Sequence, residues 1–268
     1  MSSISTPAIM LRRMAYGDYD LICTFLTLNQ GKVVLIAKSA KKSKKRFSGV
    51  LEPYGVLDIV YTGGRHRGLP VLQEAAVSKP FANIRSNVSK SAYAAFMAEL
   101  INEHMEEKAV QKSVFHLYRY ALELLDEEIL TEETAGILFQ MRFMAMSGFS
   151  PSLSECLSCG RKTEDLPRHP VFFDVKNGGV ICCECRKAAA HLLPLSKGTI
   201  KQLLWLQRSS LSTAARIRFS PSALHESLSF LEAFVPFCLG KELKSLRFLQ
   251  QLRASETRGG PKKQKPGG

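Results

Sequence analysis

Two cysteine pairs constrain this chain more than any other feature. Cys156-Leu157-Ser158-Cys159 and Cys182-Cys183-Glu184-Cys185 each place two cysteines at C-x-x-C spacing, with 22 residues between the pairs. A knuckle of this kind offers two thiolates to a metal, and two knuckles complete a tetrahedral zinc site with Zn–S bonds near ~2.3 Å. Any fold must therefore bring Cys156, Cys159, Cys182 and Cys185 to one point. Gly160 follows the first pair and is free to take the positive φ that turns backbone N–H groups toward the sulfurs. Arg161, Lys162, Arg186 and Lys187 follow the two pairs and would offset the negative charge of zinc with four thiolates. Four protein ligands leave no open position, so such an ion is structural. An iron–sulfur cluster uses the same ligand set, and unmetallated thiols are the remaining alternative. Structural disulfides do not suit a reducing cytoplasm. Cys183 is expected to point away from the cluster, and Cys23 and Cys238 to act as small buried hydrophobes.

The rest of the chain is ordinary in composition and unusual in charge. Its 268 residues are 45% hydrophobic, enough for one large domain or two to three small ones. Lys and Arg number 37 against 24 acids, a net charge of +13. Residues 1–80 carry +7, residues 81–155 carry −5 and residues 156–268 carry +11. Two basic regions flanking an acidic one suggest modules with different partners. A strong positive charge points to a polyanion, most often nucleic acid; the plainer alternative is a Lys-rich surface that serves solubility. No apolar run approaches the ~20 residues of a membrane span. The N-terminus lacks the basic start and apolar stretch of a signal peptide, so a cytoplasmic protein is expected.

Hydrophobic periodicity divides the chain. Ile9–Tyr16, Asp20–Leu28, Val33–Lys38, Leu51–Tyr61 and Leu69–Val77 read as short strands separated by turn signals, with Gly31 in a hairpin loop. Five strands within residues 1–80 suit a small OB-type barrel, with an SH3-like barrel the alternative. After Pro80 the period changes to that of helices. Tyr93, Phe96, Met97, Leu100 and Ile101 form one stripe, and Val114, Leu117, Tyr118, Ala121 and Leu125 a second. Thr131 before Glu132 and Glu133 reads as the N-cap of a third helix ending before Gly148 and Pro151. Further stripes follow around Trp205, Leu228 and Leu246. The expected fold class is α+β: an N-terminal OB-fold barrel over 1–80, then a helical bundle over 81–250 with a zinc-knuckle insert at 152–190. Residues 254–268 end in a basic run without apolar residues and are expected as a disordered tail.

The densest charge lies in one predicted loop. Lys38, Lys41, Lys42, Lys44, Lys45 and Arg46 fall within nine residues, and no acid occurs between Asp20 and Glu52. A loop this basic on a small barrel can follow a phosphate backbone and release counterions. Arg65 and Arg67 add charge at a later turn, with His66 between them. The structural alternative is a solvated loop whose lysines blunt a sheet edge. Phe47 and Tyr54 could stack on bases, although core packing suits both. Glu127, Glu128, Glu132 and Glu133 are expected as solvated acids at helix ends. The chain has no phosphate-binding P-loop, no nucleophile elbow and no H-E-x-x-H motif, so the residues argue for binding and against catalysis.

Several stretches resemble the bacterial RecO family of recombination mediators. They are Leu11-Arg12-Arg13-Met14-Ala15-Tyr16-Gly17-Asp18-Tyr19-Asp20-Leu21-Ile22; Thr27 with Gly31-Lys32 and Ala37-Lys38; Leu51-Glu52-Pro53-Tyr54; Arg142-Phe143 through Gly148-Phe149-Ser150-Pro151; and the two cysteine pairs. The resemblance spans roughly residues 8–250. It departs at Ser39, where the family often has Gly, and at Lys45, where it often has Ser before the Arg-Phe step. What the resemblance implies is an OB fold, binding of single- and double-stranded DNA, and no hydrolytic or redox activity. It also implies annealing of complementary strands and loading of RecA onto coated strands. The implied partners are RecR and the acidic tail of single-strand binding protein. A bacterial cytoplasmic, nucleoid-associated location goes with that role. The competing reading is a zinc-ribbon RNA-binding or ribosome-associated factor, and the third is an enzyme with a concealed site.

Overall fold

The structure, a computed structural model, describes residues 3–43, 45–63, 68–166, 170–186 and 192–258. Five strands, β1 (Ser3–Tyr16), β2 (Asp20–Thr27), β3 (Gly31–Ala37), β4 (Val56–Thr62) and β5 (Val71–Lys79), close into a barrel in the order β1-β2-β3-β5-β4. β1 is long enough to serve two partners, pairing antiparallel with β4 over its first half and with β2 over its second. A parallel contact between Ile36 of β3 and Val71 of β5 closes the ring. Alternation sets the inside: along β3, Gly31, Val33, Leu35 and Ala37 are buried and the residues between them half-exposed. Met10, Cys23, Phe25, Leu35, Ile59 and Leu72 fill the interior.

Two strand limits differ from the periodicity. β1 starts at Ser3 rather than Ile9, because Ser3–Thr6 joins the β4 ladder through backbone groups that side-chain polarity does not report. Residues 51–55 form no strand. Tyr54 has φ +71°, and its N–H donates to the Met10 carbonyl at 3.2 Å, so Pro53 and Tyr54 turn the chain into β4.

The opposite surface of the barrel rests on helices. Ile9, Leu11, Leu26 and Val56 belong to the same continuous core as the helical part. The helices are α1 (Ala82–Ser86), α2 (Val88–His104), α3 (Lys112–Asp126), α4 (Glu132–Met146), α5 (Lys197–Arg208), α6 (Leu211–Ala214), α7 (Pro221–Leu239) and α8 (Lys244–Arg258). Thr131 caps α4 as expected, and Asn87, Ser196 and Ser220 do the same for α2, α5 and α7, each accepting a backbone N–H three residues on. α4 is the central element, and its Phe139 stacks on Phe143 at a centroid distance of 5.5 Å. A small sheet of β6 (Val171–Asp174), β7 (Gly179–Ile181) and β8 (Leu192–Leu195), in the order β7-β6-β8, packs Phe173 against Phe230 and Phe234 of α7.

Two expectations need correction, the start of the tail and the burial of Cys238. α8 runs through Arg258, so residues 254–258 are helical rather than the start of a tail, while 259–268 lie outside the described residues. Glu127 and Glu128 are exposed, as expected, and each also pairs with a lysine: Glu128 receives the ammonium of buried Lys90 at 2.7 Å and Glu127 that of Lys79 at 3.2 Å. Cys238 is half-buried, whereas Cys23 sits fully inside the barrel. Among the described residues no helix is long and apolar enough to cross a membrane.

Candidate metal centre and nucleic-acid interface

The cysteine centre is built from two turns and a strand. The first knuckle folds back through Gly160 N–H to the Cys156 carbonyl and Cys156 N–H to the Arg161 carbonyl, each 2.9 Å. Gly160 has φ +70°, as its place after the pair predicts. The second knuckle leaves β7 and closes through Cys185 N–H to the Cys182 carbonyl at 3.2 Å. Leu157 N–H donates to the Val180 carbonyl at 2.9 Å, which fastens the first knuckle to β7. The Sγ atoms of Cys156, Cys159, Cys182 and Cys185 all lie within 4.8 Å of one another. Those of Cys159 and Cys182 are 3.9 Å apart, close to the roughly 3.8 Å edge of a tetrahedron with ~2.3 Å Zn–S bonds. Cys183 is half-buried and outside the cluster, as its position between two ligands requires.

The local electrostatics favour thiolates at Cys156 and Cys159, whereas burial pushes the Cys182 thiol up. Burial penalises the charged form of Cys156, yet the backbone N–H groups of Cys182, Cys159 and Ser158 outweigh it and bring the thiol down to about 6. The Arg161 N–H lowers Cys159 as well. Arg161 also donates its guanidinium to the carboxylate of Glu184 and to the Cys159 sulfur. The other expected counter-charges divide differently: Arg186 lies over the Phe172 ring at 4.2 Å, and Lys162 lines a cavity together with Ile200, Lys201 and Leu204 of α5. Lys187 lies outside the described residues. Arg142 has a structural task, with its guanidinium donating to the Gln207 carbonyl at 2.9 Å and to that of Ser209 at the end of α5. The donor set and its spacing fit one four-coordinate metal ion.

The basic loop leaves the end of β3 and docks on the turn between β1 and β2. Ser39 occupies the left-handed region at φ 55°, the conformation Gly adopts most readily at such a step. Its N–H donates to Asp20 Oδ1 at 2.7 Å, and Lys41 N–H donates to the Tyr19 carbonyl at 3.0 Å. A 3-10 turn over Ala40–Lys42 follows. Lys41 Nζ then donates to the Gly17 carbonyl at 2.8 Å, and Lys42 Nζ sits 3.5 Å above the Tyr19 ring. Ser43 Oγ accepts from the N–H groups of Arg46 and Phe47, and Arg46 donates to the Lys38 carbonyl at 3.1 Å. The loop is thus an ordered cap on the barrel rim. Lys38, Lys41, Lys42, Lys45 and Arg46 are all exposed, while Phe47 is buried and Tyr54 half-buried. Lys44, Arg65 and Arg67 lie outside the described residues. Ile36 N–H donates to the Pro70 carbonyl at 2.9 Å, so the segment entering β5 begins beside the root of this loop. Sequence reasoning missed two residues here. Tyr16 and Tyr19 are 54% and 46% exposed on the turn that receives the lysines. The only signal was their place on either side of Gly17-Asp18 in a turn.

Comparison with known proteins bears on this arrangement. Residues 1–81 match the family model for the Recombination protein O N terminal, and residues 85–247 match that for the Recombination protein O C terminal. The chain belongs to the RecO family. A DNA repair protein RecO from Desulfosudis oleivorans is 42% identical over 94% of this chain and 99% of its own length. The RecO from Desulfatibacillum aliphaticivorans is 43% identical over 94% and 98% respectively, and that from Syntrophus aciditrophicus 35% over 92% and 95%. Membership of the RecO family supports a function in DNA repair and recombination. The boundary between the two matches, at residues 81–85, coincides with the passage from β5 into α1.

Proposed function

We propose that this chain is a non-enzymatic mediator of DNA repair and recombination. It binds single- and double-stranded DNA, anneals complementary strands and helps load RecA onto strands coated with single-strand binding protein. One observation carries the reading: in a chain of the RecO family, an ordered basic loop is fastened to the rim of an OB-type barrel with five exposed cations. Lys38, Lys41, Lys42, Lys45 and Arg46 meet the phosphates, with Lys44, Arg65 and Arg67 extending the same charge along the sequence. Contacts to the backbone alone carry little sequence preference. Holding two strands against one cationic rim lowers their mutual repulsion and favours pairing.

The four cysteines hold a structural Zn²⁺ that ties the two knuckles together and supplies no chemistry to a substrate. Partner contacts are with RecR and with the acidic tail of single-strand binding protein, and the location is the bacterial cytoplasm at the nucleoid. The test is annealing of complementary oligonucleotides pre-coated with single-strand binding protein, followed by fluorescence quenching of end labels. Faster annealing with the protein than without it is expected. No acceleration overturns the mediator reading, and a clear preference for structured RNA in competition with single-stranded DNA supports the RNA-binding alternative instead.

A further inference from the structure

The barrel contributes six described aromatic residues, and four of them are packed. Phe25, Phe47 and Tyr61 are buried and Tyr54 is half-buried. Tyr16 and Tyr19 alone stand in water, on either side of the β1–β2 turn, 54% and 46% exposed. Neither belongs to a hydrophobic core. Each leaves ring surface open to a planar partner. Their surroundings are also unusually fixed. Lys41 binds the turn twice, through its N–H to the Tyr19 carbonyl at 3.0 Å and its Nζ to the Gly17 carbonyl at 2.8 Å. Asp20 anchors the Ser39 N–H at 2.7 Å, and the Lys42 ammonium covers one side of the Tyr19 ring at 3.5 Å. The turn joining the first two strands is one of the loops with which OB barrels grip oligonucleotides.

We infer that Tyr16 and Tyr19 form a base-stacking platform for single-stranded nucleic acid, with the basic loop holding the phosphates of the same strand. This rests on the DNA-binding reading above and adds the contact to the bases. The lysines on the turn act partly as scaffold: Lys41 and Lys42 hold the platform in place, which leaves Lys38 and Lys45 as the more available phosphate contacts, with Arg46 sharing its guanidinium with the Lys38 carbonyl. Stacking tolerates any base because every base has a π-face, so the platform adds affinity without adding a sequence code. It predicts tighter binding to single strands than to paired ones, whose bases are already stacked.

The test compares a fluorescent thymidine oligonucleotide with an abasic oligonucleotide of equal length and phosphate number, each titrated at several salt concentrations. Tyr16→Ala and Tyr19→Ala are each expected to weaken thymidine binding by about tenfold, in line with base–aromatic stacking. Abasic binding should change little, and the dependence of log K on log salt should keep its slope. Tyr16→Phe and Tyr19→Phe keep the rings and should bind nearly as the parent does, which separates stacking from damage to the turn. Equal loss on both oligonucleotides, or no loss on either, overturns the platform. Failure of the parent protein to bind either oligonucleotide would instead overturn the DNA-binding reading on which it rests.

Discussion

At the scale of single residues, small geometric facts decide large effects. Gly136 in α4 is buried because the Tyr93 ring occupies the space a side chain would need, and an added Cβ would lie 2.7 Å from Tyr93 Cε1 and 2.8 Å from Cδ1. Gly136→Ala therefore combines two opposed terms: a helix-propensity gain of about 1 kcal/mol and an overpacking cost of about 1–3 kcal/mol. The ring is confined in the core, so the cost wins. A net loss of about 1 kcal/mol is expected as a lower urea midpoint with unchanged m-value. Glu103 illustrates charge in the same way. The ammonium of Lys241, 2.9 Å away, hydrogen-bonds its carboxylate and holds it below the usual carboxylate range despite partial burial. A depressed acid stabilises the fold above its ordinary range, and that contribution is lost as pH falls through the lowered value. Lys241→Ala should thus raise the Glu103 midpoint in a carboxyl NMR titration and reduce the parent's stability advantage only above that acidic window. Neither pair was legible in the sequence. Gly136 sits in an unremarkable apolar run, and Glu103 and Lys241 are 138 residues apart.

At the scale of elements, legibility followed the range of the interactions. The helices were readable because each carries its own stripe and cap, as with Thr131 and α4. The knuckles were readable because ligand spacing is local within each turn, and Gly160 has the backbone conformation its position requires. What local pattern could not show was how elements fasten to one another. The lysine loop read as a flexible run of charge, yet two of its members bind the β1–β2 turn. The residues before Ile9 carried no strand signal, yet Ser3–Thr6 pair with β4. The knuckles also yield a prediction at this scale. If the cluster holds zinc as proposed, elemental analysis should find about one zinc per chain, and Cys156→Ser or Cys182→Ser should lower that content sharply, since both thiols are buried members of the four-cysteine cluster. Chelation should lower the thermal midpoint, because the link between the first knuckle and β7 loses its staple. Iron in place of zinc, or a midpoint indifferent to chelation, would contradict the structural-zinc account.

For the whole molecule, the net charge of +13 resolves into parts with different tasks. The acidic stretch 81–155 supplies much of the helical core, and several of its carboxylates hold cations of other elements, as Glu103 holds Lys241 and Glu127 holds Lys79. Around the cysteines, Arg161 serves the centre and Arg186 an aromatic ring. Only part of the positive charge is therefore available to a polyanion, and the barrel rim concentrates it. The barrel and helices share one core through Ile9, Leu11, Leu26 and Val56, so the rim is presented on a packed base. The most direct measurement is single-stranded DNA affinity against salt for the parent and for Lys38→Ala/Lys45→Ala/Arg46→Ala. Each phosphate contact contributes about −0.7 to the slope of log K against log salt. The account predicts a steep slope in the parent and one shallower by about 2 in the triple variant. A flat parent slope, or a variant slope unchanged from a steep parent, would contradict it.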